Sequence, residues 1–262
     1  YCHNPVVLGG RLEGKFLPDQ VIPFSVSRED AEKGFKDYVC RKKFVPRAFY
    51  NKKQVESITG VYFPYWHYNT SLEGKMQGEA RNIRVWRTGN TEYTETKYYQ
   101  VSREGDVKLE NLTENALGKA NQELICGVMP YDFKDVKKFQ LGFLSGFLAE
   151  KRDIEKKQIE KKVQQEARES AEKLMREQIN GYSSVSVKNA DFRALKEKWS
   201  YTLLPVWTIT YKAKNGKIYY FSMNGQTGKV YGELPTDYKK ISLVSGIVSL
   251  VTLVILLLGG LA

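Results

Sequence analysis

The chain has 262 residues, with 41 Lys and Arg against 30 Asp and Glu, a formal net charge of +11. At 42% hydrophobic and 13% aromatic it carries enough apolar side chain for a packed core, which excludes global disorder and a collagen-like repeat. Three cysteines, Cys2, Cys40 and Cys126, are too scattered for the disulfide framework of a small secreted protein, so a reducing compartment is expected.

The sequence begins at Tyr1 with no apolar signal segment after it, which predicts a natural N-terminus further upstream. Residues 17–27 read as extended chain. Ser27 and Asp30 then form an S-x-x-D capping pattern, predicting a helix over 28–41 with Ala31, Phe35, Tyr38 and Val39 on its inner face and Cys40 as a structural cysteine. Over 58–112 short β-branched and aromatic runs are punctuated by Gly60, Gly74, Gly78, Gly89-Asn90 and Gly105-Asp106, the texture of an antiparallel meander. Residues 141–148 are apolar but too short to span a bilayer, and read as a packed turn.

A long charged helix is predicted over about 149–179, closed by Asn180-Gly181. Ile159, Val163, Ala167, Ala171 and Leu174 form one narrow apolar stripe along it. Two readings stand: a surface helix lying across the sheet, or a projecting helix whose stripe receives a protein partner through Ile159, Val163, Ala167 and Leu174. A second strand block follows over 200–234, with turns at Asn215-Gly216 and Asn224-Gly225. Phe63-Pro64-Tyr65-Trp66 and Leu204-Pro205-Val206-Trp207 share an apolar-Pro-x-Trp pattern, compatible with duplication or with shared packing logic; each Pro should mark a strand start or a bulge.

Residues 241–262 contain no charge, and about 20 apolar residues in a helix span a hydrocarbon core of roughly 30 Å. Ile241, Leu243, Leu250, Leu253, Leu256 and Leu258 are the predicted anchor, with Tyr238, Lys239 and Lys240 at headgroup level, as Tyr231 close upstream is too. The basic flank places the bulk of the chain on the cytoplasmic side of a single-pass cell-membrane protein. Ser242, Ser245, Gly246 and Ser249 put small residues on one face, where a second helix could approach.

The two histidines, His3 and His67, are too few for the usual acid/base or multi-His metal arrangements, and no nucleophile elbow, Walker loop or dinucleotide fingerprint occurs. Asp132/Asp135 and Glu92/Glu95 are carboxylate pairs without supporting context. Residues 224–228 read as a hairpin turn rather than a phosphate cradle. No enzyme activity and no cofactor in this chain are expected. Cations interleaved with Tyr and Phe, as in residues 214–221, suit either nucleic-acid binding or cross-strand pairing; for a tethered protein, anionic lipid or an acidic protein partner is the more economical attraction.

Taken in order, Tyr1-Cys2-His3-Asn4-Pro5, Glu13-Gly-Lys-Phe16, Ile22-Pro-Phe24, Gly60-Val-Tyr-Phe-Pro-Tyr-Trp66, Ser145-Gly-Phe-Leu-Ala149, Leu203-Leu-Pro-Val-Trp207 and Met223-Asn-Gly-Gln-Thr-Gly-Lys229 resemble the bacterial TFIIB-type zinc-ribbon membrane proteins, often labelled primosomal-helicase-like. The resemblance implies an N-terminal zinc ribbon, in which Cys2 is a zinc ligand of the intact protein, the other ligands being absent here. It also implies partners of the SPFH (flotillin-like) or phage-shock-A-like type. The expected architecture is α+β: a zinc-ribbon remnant and linker over 1–15, a cytoplasmic domain over 16–235 made of antiparallel β-sheet blocks with a capping helix and one long charged helix, and a transmembrane anchor over 236–262. The expected function is a non-enzymatic, membrane-anchored adaptor, homo-oligomerisation being left open. A membrane-tethered nucleic-acid-binding zinc-ribbon protein is the alternative.

Overall fold

A computed structural model describes residues 6–7, 14–46, 49, 55, 57–118, 126–212 and 216–259. Cys2, His3 and the motif around them lie outside the described residues, as do Asn215 and the side chain of Leu258. The elements in order are β1 (Val6–Val7), β2 (Gln20–Val21), α1 (Arg28–Cys40), β3 (Thr59–Thr88), β4 (Thr91–Asn115), β5 (Lys137–Lys138), β6 (Leu148–Glu150), α2 (Lys156–Glu177), β7 (Ser184–Lys212), β8 (Ile218–Asn224), β9 (Val230–Gly232) and α3 (Tyr238–Gly259). They form two compact units, one of Tyr1–Pro64, Leu117–Lys151 and Leu203–Ala262, the other of Tyr65–Ala116 and Arg152–Thr202. The expected α+β class holds. The strands are not all antiparallel, however, because β3 pairs with β6 in parallel through Val61 and Tyr62.

In the first unit α1 starts where the sequence sets it. Ser27 Oγ accepts a hydrogen bond from the Asp30 amide at 3.1 Å and donates to the Asp30 carboxylate at 2.8 Å, satisfying an amide the helix leaves open. Ala31, Phe35 and Val39 are buried against the sheet, where Phe35 meets Phe221 edge-on at 4.9 Å. Cys40 is exposed instead, because it falls on the outer face of the last turn. The 141–148 segment splits into a short 3-10 turn, Leu141–Leu144, and the start of β6.

The second unit departs most from expectation. Instead of a meander of short strands, β3 and β4 make one long hairpin turning at Gly89-Asn90. Gly74 and Gly78, read as punctuation, lie inside β3. A Cβ on Gly74 would come within 2.6 Å of Phe192 and 2.7 Å of Met175, and one on Gly78 within 2.4 Å of the Ser186 carbonyl. Glycine is needed there for close approach rather than for turning. Pro64 and Pro205 likewise sit within β3 and β7, not at strand starts. A bulge does occur, between Tyr68 and Thr70, where Asn69 faces two residues of β4. Asn111 takes φ +63° in it, and its amide donates to Asn69 Oδ1 at 2.7 Å.

α2 begins at Lys156 rather than 149, with Gln158 Oε1 accepting from the Glu155 amide at 2.6 Å. From Leu72 to Ala80 the even-numbered residues of β3 are buried, and on α2 the buried set is Ile159, Val163, Ala167, Ala171 and Met175. Period two meets a helix ridge of step four, the pattern of a helix laid on a sheet.

Candidate functional site

The α2 stripe is not available to a partner. Ile159, Val163 and Ala167 are buried inside the second unit, so the lying-across-the-sheet reading describes the molecule and the partner-binding assignment of these three is corrected. Leu174, placed on the same stripe, is 43% exposed, and Met175 takes the inner position. Successive steps of four stay on one ridge, and Met175 continues from Ala171 where Leu174 rotates off. Lys162 joins the helix to β4 through Glu114 at 2.7 Å.

Large apolar side chains are exposed elsewhere in that unit. Beyond Ala80 the hairpin is open on both faces. Trp86 and Tyr93, directly opposite each other, stack at 5.6 Å with Arg84 5.7 Å from the Trp86 ring centre. Ile83, Val85 and Tyr98 are also exposed. The sequence offered a signal for this cluster, aromatics flanking a Gly-Asn turn at the tip of a hairpin, but only long continuous strands make it a projecting end.

His67, Tyr68 and Arg152 of the second unit are engaged in structure. His67 is buried with its Nε2 3.1 Å from Asn111 Oδ1; burial pushes its imidazole below the ordinary value, and Lys198 adds to this against the opposing Asn111 contact. Tyr68 donates to Glu197, and burial, with that carboxylate, pushes the phenol up to about 12. Arg152 is buried between the rings of Trp66 and Tyr201, at 5.0 and 4.6 Å, and reaches Glu155 at 3.3 Å. Such an arginine fixes rings and chain direction.

In the first unit a cleft of about 660 Å³ is lined by Phe24, Val26, Ile58, Phe147 and Trp207 with Ser27 and Arg28 at its rim. Phe24 and Phe147 stack at 4.2 Å, and Trp207 Nε1 donates to the Val26 carbonyl at 3.1 Å. Among the described residues no nucleophile-base pair lines it. The 224–228 segment is a turn: Asn224 Oδ1 accepts from the amides of Gln226 at 2.8 Å and Thr227 at 3.0 Å, so those donors are not presented to a phosphate. Asp135 accepts from Gln226 at 2.7 Å, while Glu92 pairs with Arg87 at 2.9 Å and Glu95 with Lys97 at 3.5 Å. Among the described residues no group of three or more His, Cys, Asp or Glu is placed to hold a metal ion.

α3 is the most distinctive feature. Among the described residues it is the one helix long and apolar enough to cross a membrane, 20 residues over Tyr238–Leu257, with none of that stretch buried in the rest of the chain. Leu243, Leu250, Leu253 and Leu256 are each more than half exposed, and nothing approaches within 4 Å of a Cβ built on Gly246. Tyr238 and Lys239 are exposed at its start, whereas the ring of Tyr231 is turned inward against Gly127. The root is held firmly: the Asp237 amide donates to the Phe44 carbonyl and Lys240 Nζ to the Val45 carbonyl, both at 2.7 Å. A second cleft, about 570 Å³, opens beside this root and is lined by Arg41, Lys42, Lys43 and Ile241. Ile241 lies some 200 positions from the consecutive Arg41, Lys42 and Lys43, so no local motif announces the cleft.

The chain is similar to the uncharacterized protein YdjG of Bacillus subtilis (strain 168), at 28% identity over 259 residues, covering 97% of this chain and 76% of that protein. No family model and no solved structure matches it.

Proposed function

We propose that the chain is a membrane-anchored adaptor. α3 spans the bilayer once, and the two units stand on its cytoplasmic side and position protein partners there. The observation that carries this reading is the apolar helix with no covering inside its own chain: 20 residues left in water would expose an apolar surface that soluble proteins do not tolerate. The basic flank of Lys239 and Lys240 supports the orientation. The exposed Trp86–Tyr93 end of the hairpin, rather than α2, is the surface the reading assigns to a partner, and the resemblance to TFIIB-type zinc-ribbon membrane proteins points to an SPFH- or phage-shock-A-like one, with zinc held upstream through Cys2.

The test is fractionation of cells expressing the full chain and a version ending at Asp237. The full chain should stay in alkali-washed membranes and the shortened one should not, and a membrane-impermeant label applied outside the cell should miss Cys40 and Cys126. Equal partition of both versions, or outside labelling, refutes the reading. Nucleic-acid binding is a second reading, favoured by the exposed Trp86–Tyr93 stack beside Arg84. It requires a steep loss of DNA or RNA affinity with salt, and no binding at low salt ends it.

A further inference from the structure

Resting on the membrane-anchor reading, we infer that the basic cleft at the root of α3 is a binding site for the phosphate of an anionic lipid headgroup. Arg41, Lys42 and Lys43 line it and are exposed, and among the described residues no carboxylate pairs with any of them. Three neighbouring cations repel one another, and an anion between them relieves this. Asp37, one helical turn before Arg41, makes no ion pair with the three, and Asp237 and Glu233 are engaged elsewhere. Asp237 accepts from the Lys240 amide at 3.2 Å and lies 3.8 Å from Lys240 Nζ, and Glu233 pairs with Lys217 at 3.6 Å.

Depth selects the source of the phosphate. Ile241, the first apolar residue of the α3 run, is itself part of the lining. A helix rises about 1.5 Å per residue, so the cleft lies within about one turn of where hydrocarbon begins, at the level of lipid phosphates. Phe44, Val45, Leu234 and Pro235 add apolar lining beside Tyr38 and Thr236, which suits the start of the acyl chains below a headgroup. Nor is the placement left to a loose linker. Tyr38 Oη donates to the Gly232 carbonyl at 2.8 Å, and the Asp237 and Lys240 bonds to Phe44 and Val45 tie the cation-bearing loop to the first turn of α3. Lys134, Lys137 and Lys138, also exposed, line none of these clefts and serve as the comparison.

The experiment reconstitutes the full chain in phosphatidylcholine nanodiscs containing a minor fraction of phosphatidylglycerol and counts retained lipid by native mass spectrometry after detergent release. The wild type should retain a single phosphatidylglycerol. Arg41→Gln/Lys42→Gln/Lys43→Gln should weaken retention on the order of a hundredfold, at roughly fivefold per cation removed near an anionic surface. Lys134→Gln/Lys137→Gln/Lys138→Gln, with the same change in charge, should keep it. Equal loss in both triple variants overturns the inference. So does displacement of the lipid by millimolar inorganic phosphate, which would make this a free-phosphate site, or Arg41-to-Lys43-dependent binding of a polyglutamate peptide in place of lipid. A wild type that enters the disc but retains no anionic lipid refutes the cleft alone; a wild type that does not enter refutes the anchor.

Discussion

Replacing Leu250 and Leu253 together by Arg separates a membrane span from a helix awaiting burial in its own protein. On an insertion scale Leu contributes about −0.5 kcal/mol and Arg about +3 kcal/mol near the middle of a span, so each change costs about 3.5 kcal/mol and the pair about 7 kcal/mol. At 1.4 kcal/mol per tenfold that is more than ten-thousandfold in partition, enough to release the chain into the soluble fraction. Within the protein the same side chains are 63% and 53% exposed and the span is nowhere covered, so the folded units should not notice the change. Membrane sedimentation after alkaline wash reads the first effect, and thermal unfolding of the detergent-solubilised chain, followed by circular dichroism, reads the second. Retention of the double variant in the washed membrane would refute the reasoning. So would a large loss of melting temperature, since that is what breaking an internal contact produces.

Three further outcomes follow from the packing. Val163→Ala should cost about 2 kcal/mol in urea unfolding and Leu174→Ala less than about 0.5 kcal/mol, because the first is buried under the sheet and the second is in water; equal losses would mean α2 is rotated. Gly78→Ala should cost about 2 kcal/mol, as its new Cβ meets backbone at Ser186, whereas Gly105→Ala, with open space around it and no positive φ, should be neutral or slightly stabilising. His67 carries a depressed imidazole, so the neutral form is favoured by folding. Its contribution is complete above the unfolded value of about 6.5 and is lost as pH falls from there through the folded value. Melting temperature on acidification should therefore fall more in the wild type than in His67→Gln, and parallel curves would contradict the assignment.

Local chemistry made several elements legible from residue order. The Ser27–Asp30 cap, the 224–228 turn and α3 each depend on residues within a few positions of one another, and each lies where its pattern puts it. Gly74 and Gly78 show the limit: glycine permits both a turn and a close approach, and only the presence of Phe192, Met175 and Ser186 across space selects the second. The amino-terminal half of β7 leaves little trace in the sequence because most of it is exposed and only a few residues, Val185, Val187 and Phe192 among them, are half-buried.

What the sequence alone determined is therefore the α+β class, the cap of α1 and an uncharged run of spanning length, all set by short-range bonding and by hydropathy. Tertiary structure decided which face of α2 is covered, that β3 and β4 form one long hairpin, and that Arg41, Lys42 and Lys43 share a cleft with Ile241. Burial and proximity between distant segments are properties of the assembled core, and a periodic stripe carries no record of whether its own sheet or another molecule will cover it.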